Sequence, residues 1–213
     1  MDSVFFVLEF IGTIAFAISG AMLAIKSKMD VFGVCALGVT TAVGGGIIRD
    51  ILLGVTPPTC FTEPVFLLLA IGTALLTFTI FYHNPFAHKR KIIDVIMLIA
   101  DSVGLGVFTV IGVKTCFYTT QNPQLFLALC SGVITGVGGG VMRDVMAKNT
   151  PYIFVKHFYA CSSIIGALFS YVIWVLINEL VAMILGVIIV VILRILAARF
   201  HWKLPKVHLK NIK

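Results

Sequence analysis

Charge is scarce in this chain: Asp, Glu, Lys and Arg make up 12% of its 213 residues, about half the share of roughly 25% in a soluble domain. No hydrophilic domain, low-complexity linker or block of like charge interrupts it. Hydrophobic residues reach 60% and the mean hydropathy is +1.09, which together define a membrane protein. Negative charge is the scarcer sign, with 9 Asp and Glu against 16 Lys and Arg. In a soluble protein that excess would invite a nucleic-acid partner. Here the basic residues fall between or after apolar runs, so positive-inside topology accounts for them and no nucleic-acid partner is expected.

Cysteine supplies no framework. Cys35, Cys60, Cys116, Cys130 and Cys161 are scattered without Cys-x-x-Cys spacing, and none of the five His pairs with another at ligand spacing. They read as small packing residues rather than a disulfide set or a metal site. Met1-Asp2-Ser3 lacks the basic stretch of a secretory signal, so the first apolar run is expected to span. Catalytic signatures are missing as well: there is no Gly-x-Ser-x-Gly, no His-Glu-x-x-His and no Walker loop. The chain reads as a non-enzyme without cofactor.

What is there is length of apolar run. Seven segments, roughly 4–25, 31–54, 64–82, 92–117, 124–147, 153–177 and 180–200, have the ~20 residues a bilayer-crossing helix needs. Lys and Arg sit in alternate loops: Lys26 and Lys28, then Lys89-Arg90-Lys91, then Lys148 and Lys156, then Arg199 with Lys203, Lys206, Lys210 and Lys213. The intervening loops and the N-terminus carry none. This alternation predicts an outside N-terminus and a cytoplasmic C-terminus.

The chain also repeats itself. Gly44-Gly45-Gly46-Ile47-Ile48-Arg49-Asp50 recurs as Gly138-Gly139-Gly140-Val141-Met142-Arg143-Asp144, a shift of 138 − 44 = 94. Thr41 falls on Thr135, Thr56-Pro57 on Thr150-Pro151 and Gly72 on Gly166. Earlier in each half the shift is 92, placing Glu9 on Asp101, Gly12 on Gly104, Phe16 on Phe108 and Gly20 on Gly112. Each repeat holds three spans, and an odd number inverts the second copy in the membrane. The expected fold is all-α and integral to the membrane, with seven transmembrane helices as two inverted three-helix repeats (1–86 and 87–177). A seventh helix at 178–200 and a basic tail at 201–213 complete it.

Three successive glycines raise the cost of helix by about 1 kcal/mol each, so the second and fifth spans are expected to break there. Freed carbonyls around Gly44, Gly45, Gly46 and Gly138, Gly139, Gly140 would suit a cation, with the hydroxyls of Thr41, Ser131 and Thr135 beside them. Close helix packing is the alternative, since Gly132, Gly136 and Gly140 follow small-x-x-x-small spacing, but two clusters in inverted register, each followed by Arg-Asp, favour a pathway. Neighbouring helix residues do not face each other. Arg49, Asp50, Arg143 and Asp144 are therefore expected to pair crosswise between repeats, either as a structural lattice or in contact with a permeant ion. Glu9 and Asp101 are intramembrane acids with functional roles by default. Lys114 and Arg194 lie near span ends and are expected to snorkel; Lys114 is also a candidate gating charge.

The doubled Gly-Gly-Gly-x-x-Arg-Asp motif in two three-helix repeats plus a seventh helix resembles the prokaryotic branch of the trimeric intracellular cation channel family. Part of that bacterial family also carries a glycine-transporter label. The resemblance covers nearly the whole chain, to about Phe200. It implies a homotrimer in a prokaryotic cell membrane, with one potassium-preferring pore per subunit between the kinked second and fifth spans. Potassium or sodium would be the permeant ion, and the partners would be other copies of the chain and the bilayer, with anionic lipids at the cytoplasmic face. The Lys-Glu-Val motifs of the animal members are missing, so phosphoinositide regulation is not carried over. A secondary transporter of a small zwitterion such as glycine is the alternative function.

Overall fold

The computed structural model describes residues 2–83, 90–120, 123–155 and 158–202. Lys89, Lys156 and the basic tail from Lys203 onward lie outside the described residues. Among the described residues the elements are all helical. The seven long ones, each apolar enough to cross a membrane, are α1 (Asp2–Lys26), α2 (Val31–Leu52), α4 (Val65–His83), α5 (Arg90–Thr119), α6 (Leu125–Met146), α8 (Tyr159–Leu176) and α9 (Glu179–Arg199). Two one-turn helices, α3 (Thr59–Thr62) and α7 (Tyr152–Val155), were not anticipated. The second takes the residues expected to begin the sixth span, which starts instead at Tyr159.

The helices start and stop on local chemistry. Asp30 caps α2 through the Gly33 amide, and Asn178 caps α9 through the Val181 amide. α2 and α6 end alike. The Val55 amide donates to the Asp50 carbonyl at 2.8 Å and the Asn149 amide to that of Asp144 at 2.9 Å, with Gly54 and Lys148 left-handed at φ 74° and 55°. Both are Schellman closures, and glycine fits the first without strain.

α5 is the centre of the bundle: 72% of its apolar window is buried, against 22% for the peripheral α4. It packs on α1, α6, α8 and α9. The two halves make the same contacts. Phe16 stacks on Phe108 with centroids 5.2 Å apart, and a Cβ on Gly104 would strike Phe16 while one on Gly12 would lie 3.3 Å from Phe108. A Cβ on Gly20 would sit 2.5 Å from both the Leu37 carbonyl and Thr41 Oγ1; one on Gly112 would sit 2.5 Å from the Ser131 carbonyl and Thr135 Oγ1. α9 packs on α5 and α8, where Gly166 faces Val190 and Gly106 faces the Val187 carbonyl.

Breaks at the triple glycines are absent. α2 and α6 run as continuous helices through them. The glycines bring the two helices into backbone contact, because a Cβ on Gly45 would strike the Thr135 carbonyl and one on Gly139 the Thr41 carbonyl. Gly138 lies against Gly45, its Cβ position 3.2 Å from the Gly45 Cα. The close crossing recovers dispersion contacts that side chains would prevent, and intact i→i−4 bonds keep the carbonyls satisfied in the apolar interior.

Candidate functional site: two buried Arg-Asp nodes and a cavity

Asp50 and Asp144 sit in the last turns of α2 and α6, where the helix dipole disfavours a carboxylate. Each is compensated by its neighbour and by the chain that follows. Arg49 Nε donates to Asp50 Oδ1 at 2.8 Å, and the Thr59 amide donates to Asp50 Oδ2 at 2.8 Å, with the Thr59 hydroxyl on the same oxygen. Arg143 Nε donates to Asp144 Oδ1 at 2.9 Å, and the Tyr152 amide donates to Asp144 Oδ2 at 2.8 Å. Each aspartate therefore holds the first residue of the short helix beyond it, α3 or α7. That contact explains the Arg-Asp spacing, and the amide donors had no signal in the sequence.

Crossed pairing does not occur. Each arginine folds back on its own adjacent aspartate, which its long side chain reaches although the two Cβ vectors diverge. The hydroxyls expected along a pathway are also turned inward to backbone. Thr41 donates to the Leu37 carbonyl and Thr135 to that of Ser131, both at 2.6 Å, while Ser131 donates to the Gly112 carbonyl at 2.7 Å. The two threonines bond within their own helices, and Ser131 ties α6 to α5.

Beyond these shared features the nodes differ. In the second, Arg143 Nη1 donates to Asp101 Oδ1 at 2.6 Å and to Ser19 Oγ at 2.5 Å. Tyr159 donates to the same Asp101 oxygen at 3.4 Å, and Arg194 Nη2 lies 3.6 Å from Asp101 Oδ2. The Arg194 guanidinium rests over the Tyr159 ring at 4.5 Å, and that of Arg143 over Tyr152 at 5.0 Å. Arg143, Asp144 and Asp101 are fully buried. Arg194 is 1% exposed and does not snorkel, because Asp101 offers it a partner inside the bundle.

The first node opens into a cavity of about 280 Å³ between α1, α2, α3, α5 and the start of α4. Glu9, Asp50, Glu63, Arg49, Thr13, Thr59 and Gly46 bring polar groups or backbone to its wall, and Phe5, Phe66, Phe108 and Ile111 bring apolar surface. Three acidic side chains and one guanidinium thus line a partly open space. Glu63 and Thr59 come from the α3 region, which no motif had singled out. Lys114 is buried as well; its ammonium lies 3.4 Å from Glu179 and 3.3 Å from the centre of the Phe5 ring, one of the cavity's walls. A half-buried acid at the start of α9 and an aromatic face hold it instead of the expected snorkelling.

Fold and site together define a seven-span membrane protein whose two halves each close on a buried Arg-Asp node. The chain belongs to the glycine transporter family, whose model matches residues 6–82 and 98–175, one segment in each half, and leaves α9 outside both. It is 41% identical to the UPF0126 inner membrane protein YadS of Escherichia coli K12 over 93% of each chain. Identity to the UPF0126 membrane protein YvgT of Bacillus subtilis is 32%, over 93% of this chain and 94% of that one. Among solved structures, it is similar to a TRIC cation channel studied for its conductance, with a TM-score of 0.84 and 40% identity over 98% of this chain and 99% of that one. The TRIC trimeric intracellular cation channel orthologue from Rhodobacter sphaeroides gives 0.85 and 28% over 94% and 100%. A prokaryotic TRIC channel solved in 0.5 M KCl gives 0.86 and 32% over 96% and 100%.

Proposed function

We propose that this protein is a monovalent-cation channel, potassium-preferring, that works as a homotrimer with one route per subunit. The observation that carries the reading is the cavity at the first node. Glu9, Asp50 and Glu63 outnumber Arg49 there, in a chain with few acids to spend. Rings of carboxylates in low-dielectric walls concentrate cations. Its lining includes Val43 and Gly46 of α2, which lie beside the crossing of α2 and α6, and the proposed route passes along that crossing. Similarity to structures described as cation channels supports the same class.

The two halves are read as inverted repeats, 1–86 and 87–177, with the N-terminus outside. The paired contacts of Gly20 and Gly112, and of Gly45 and Gly139, support the inversion. The outer face then holds the cavity, and Lys114 beside Phe5 is the gating charge at its rim.

The glycine label of the family supports a second reading. A space of 280 Å³ with Arg49 opposite Glu9 and Glu63 suits a small zwitterion. One experiment separates the two: the purified protein is placed in planar bilayers for potassium current and in vesicles for labelled glycine uptake. Unitary potassium currents that fall in Glu9→Gln are expected. Saturable glycine counterflow without unitary currents would replace the channel by a carrier.

A further inference from the structure

The two nodes differ in charge: the first has one more acid, Glu63, and the second has one more guanidinium, which comes from outside the repeats. The acids Glu9 and Asp101 occupy equivalent positions, as do Arg49 and Arg143. At the first node, three acidic side chains and one guanidinium line a cavity. At the second, Asp101 and Asp144 face Arg143 and Arg194, so charge balances. α9 has no counterpart in the first half, which therefore lacks a second guanidinium.

Arg143 and Arg194 hold Asp101 in different ways. Arg143 lies at hydrogen-bond distance from Asp101, Ser19 and Asp144 and is part of the scaffold. Arg194 Nη2 stays 3.6 Å from Asp101 Oδ2, beyond the roughly 2.7–3.2 Å of an N–H···O bond, so their attraction is chiefly Coulombic. Arg194 is also five residues from Arg199, the end of α9, about 7.5 Å along the axis. An arginine at that depth has the reach to swing toward the interface.

We propose that the Asp101 pocket is a cation site that the chain fills with its own guanidinium, and that Arg194 is a tethered plug which must swing out before cations traverse the second half. The inference rests on the channel reading above. The closed state has Arg194 over the Tyr159 ring and against Asp101. In the open state Arg194 reaches the interface, and Asp101 with the Tyr159 ring faces the permeant ion instead.

The test compares potassium current through wild type, Arg194→Gln and Arg194→Lys in planar bilayers, with assembly checked by melting in detergent. Arg194→Gln keeps a polar side chain without charge, and its mean current should rise about tenfold, as expected when a closed-state contact is removed from a two-state equilibrium. Guanidinium chloride should return that current toward the wild-type level while leaving wild type unchanged, because the free ion refills the pocket. Arg194→Lys keeps charge but lacks the planar fork, so its current should lie between the two. Unchanged or lower current in an assembled Arg194→Gln, or a rise that guanidinium does not reverse, overturns the plug. If Arg194→Gln does not assemble, Arg194→Lys decides: a current equal to wild type overturns the proposal. A conducting wild type with a failed plug leaves the channel standing; silence of wild type and both variants removes the channel reading and the plug together.

Discussion

At the scale of single residues, the Arg-Asp motif is one device with two degrees of enclosure. Arg143 is fully buried and bonds both Asp144 and Asp101, whereas Arg49 pairs with Asp50 at the wall of a cavity. Removing one partner of a buried pair typically costs about 3–5 kcal/mol, because the remaining charge stays desolvated. Arg143→Ala should incur that full penalty, since Arg194 alone would face two carboxylates. Arg49→Ala should lose less: Asp50 keeps the Thr59 amide and hydroxyl, and water in the cavity can reach it. Melting in detergent should therefore fall much further for Arg143→Ala than for Arg49→Ala. Equal losses would mean that the two nodes are equally enclosed in the folded protein.

At the scale of helices, glycine decides how near two axes come. Adding a methyl group at Gly139 drives it into the Thr41 carbonyl, a backbone atom that cannot turn aside. Overpacking of this kind costs about 1–3 kcal/mol. Gly72 on α4 is the control, because a Cβ there meets nothing within 4 Å. Gly139→Ala should lower the melting temperature and weaken assembly, while Gly72→Ala should hold or raise it through a helix-propensity gain of about 1 kcal/mol. A stable Gly139→Ala protein with only its current abolished would restore the view that the glycines shape the route rather than the packing. The comparison also shows what α9 adds: Gly166, the partner of Gly72 in the repeat, seats Val190 of α9, and Gly72 has no such neighbour within the chain.

At the scale of the whole molecule, the proposed inverted topology with an outside N-terminus would put the cavity on the outer face and the Asp101 node on the cytoplasmic face. Cys60 is a native reporter of this, since it lines the cavity outside the spans. Burial pushes its thiol up, and the Asp50 carboxylate adds to the shift. The reactive species is the thiolate, so labelling at neutral pH should be slow and accelerate by roughly tenfold per pH unit below the thiol's own pKa. In a protein whose other cysteines are replaced by Ser, an impermeant thiol reagent added outside should label Cys60 with that profile and reduce potassium current. A cysteine in place of Phe200, at the end of α9, should label only from the cytoplasmic side. The reverse pattern would invert the molecule and put the cavity inside the cell.

The sequence alone determined the membrane class, the number of spans and the repeat, because these depend on hydropathy per segment and on residue identity at fixed shifts. Lys and Arg placement likewise set the expected orientation, which is a property of loops rather than of packing. Tertiary structure decided what the special residues do. The energetic strain expected of three glycines is a local quantity, but it is offset by a helix crossing at Gly45 and Gly139 that no local window contains. Arg49 and Arg143 chose their adjacent aspartates because α3 and α7 return to supply the remaining donors, Thr59 and Tyr152. Arg194 was drawn inward for the same reason: a charge near a helix end snorkels only if nothing inside the bundle offers it a better partner, and Asp101, far away in sequence, does.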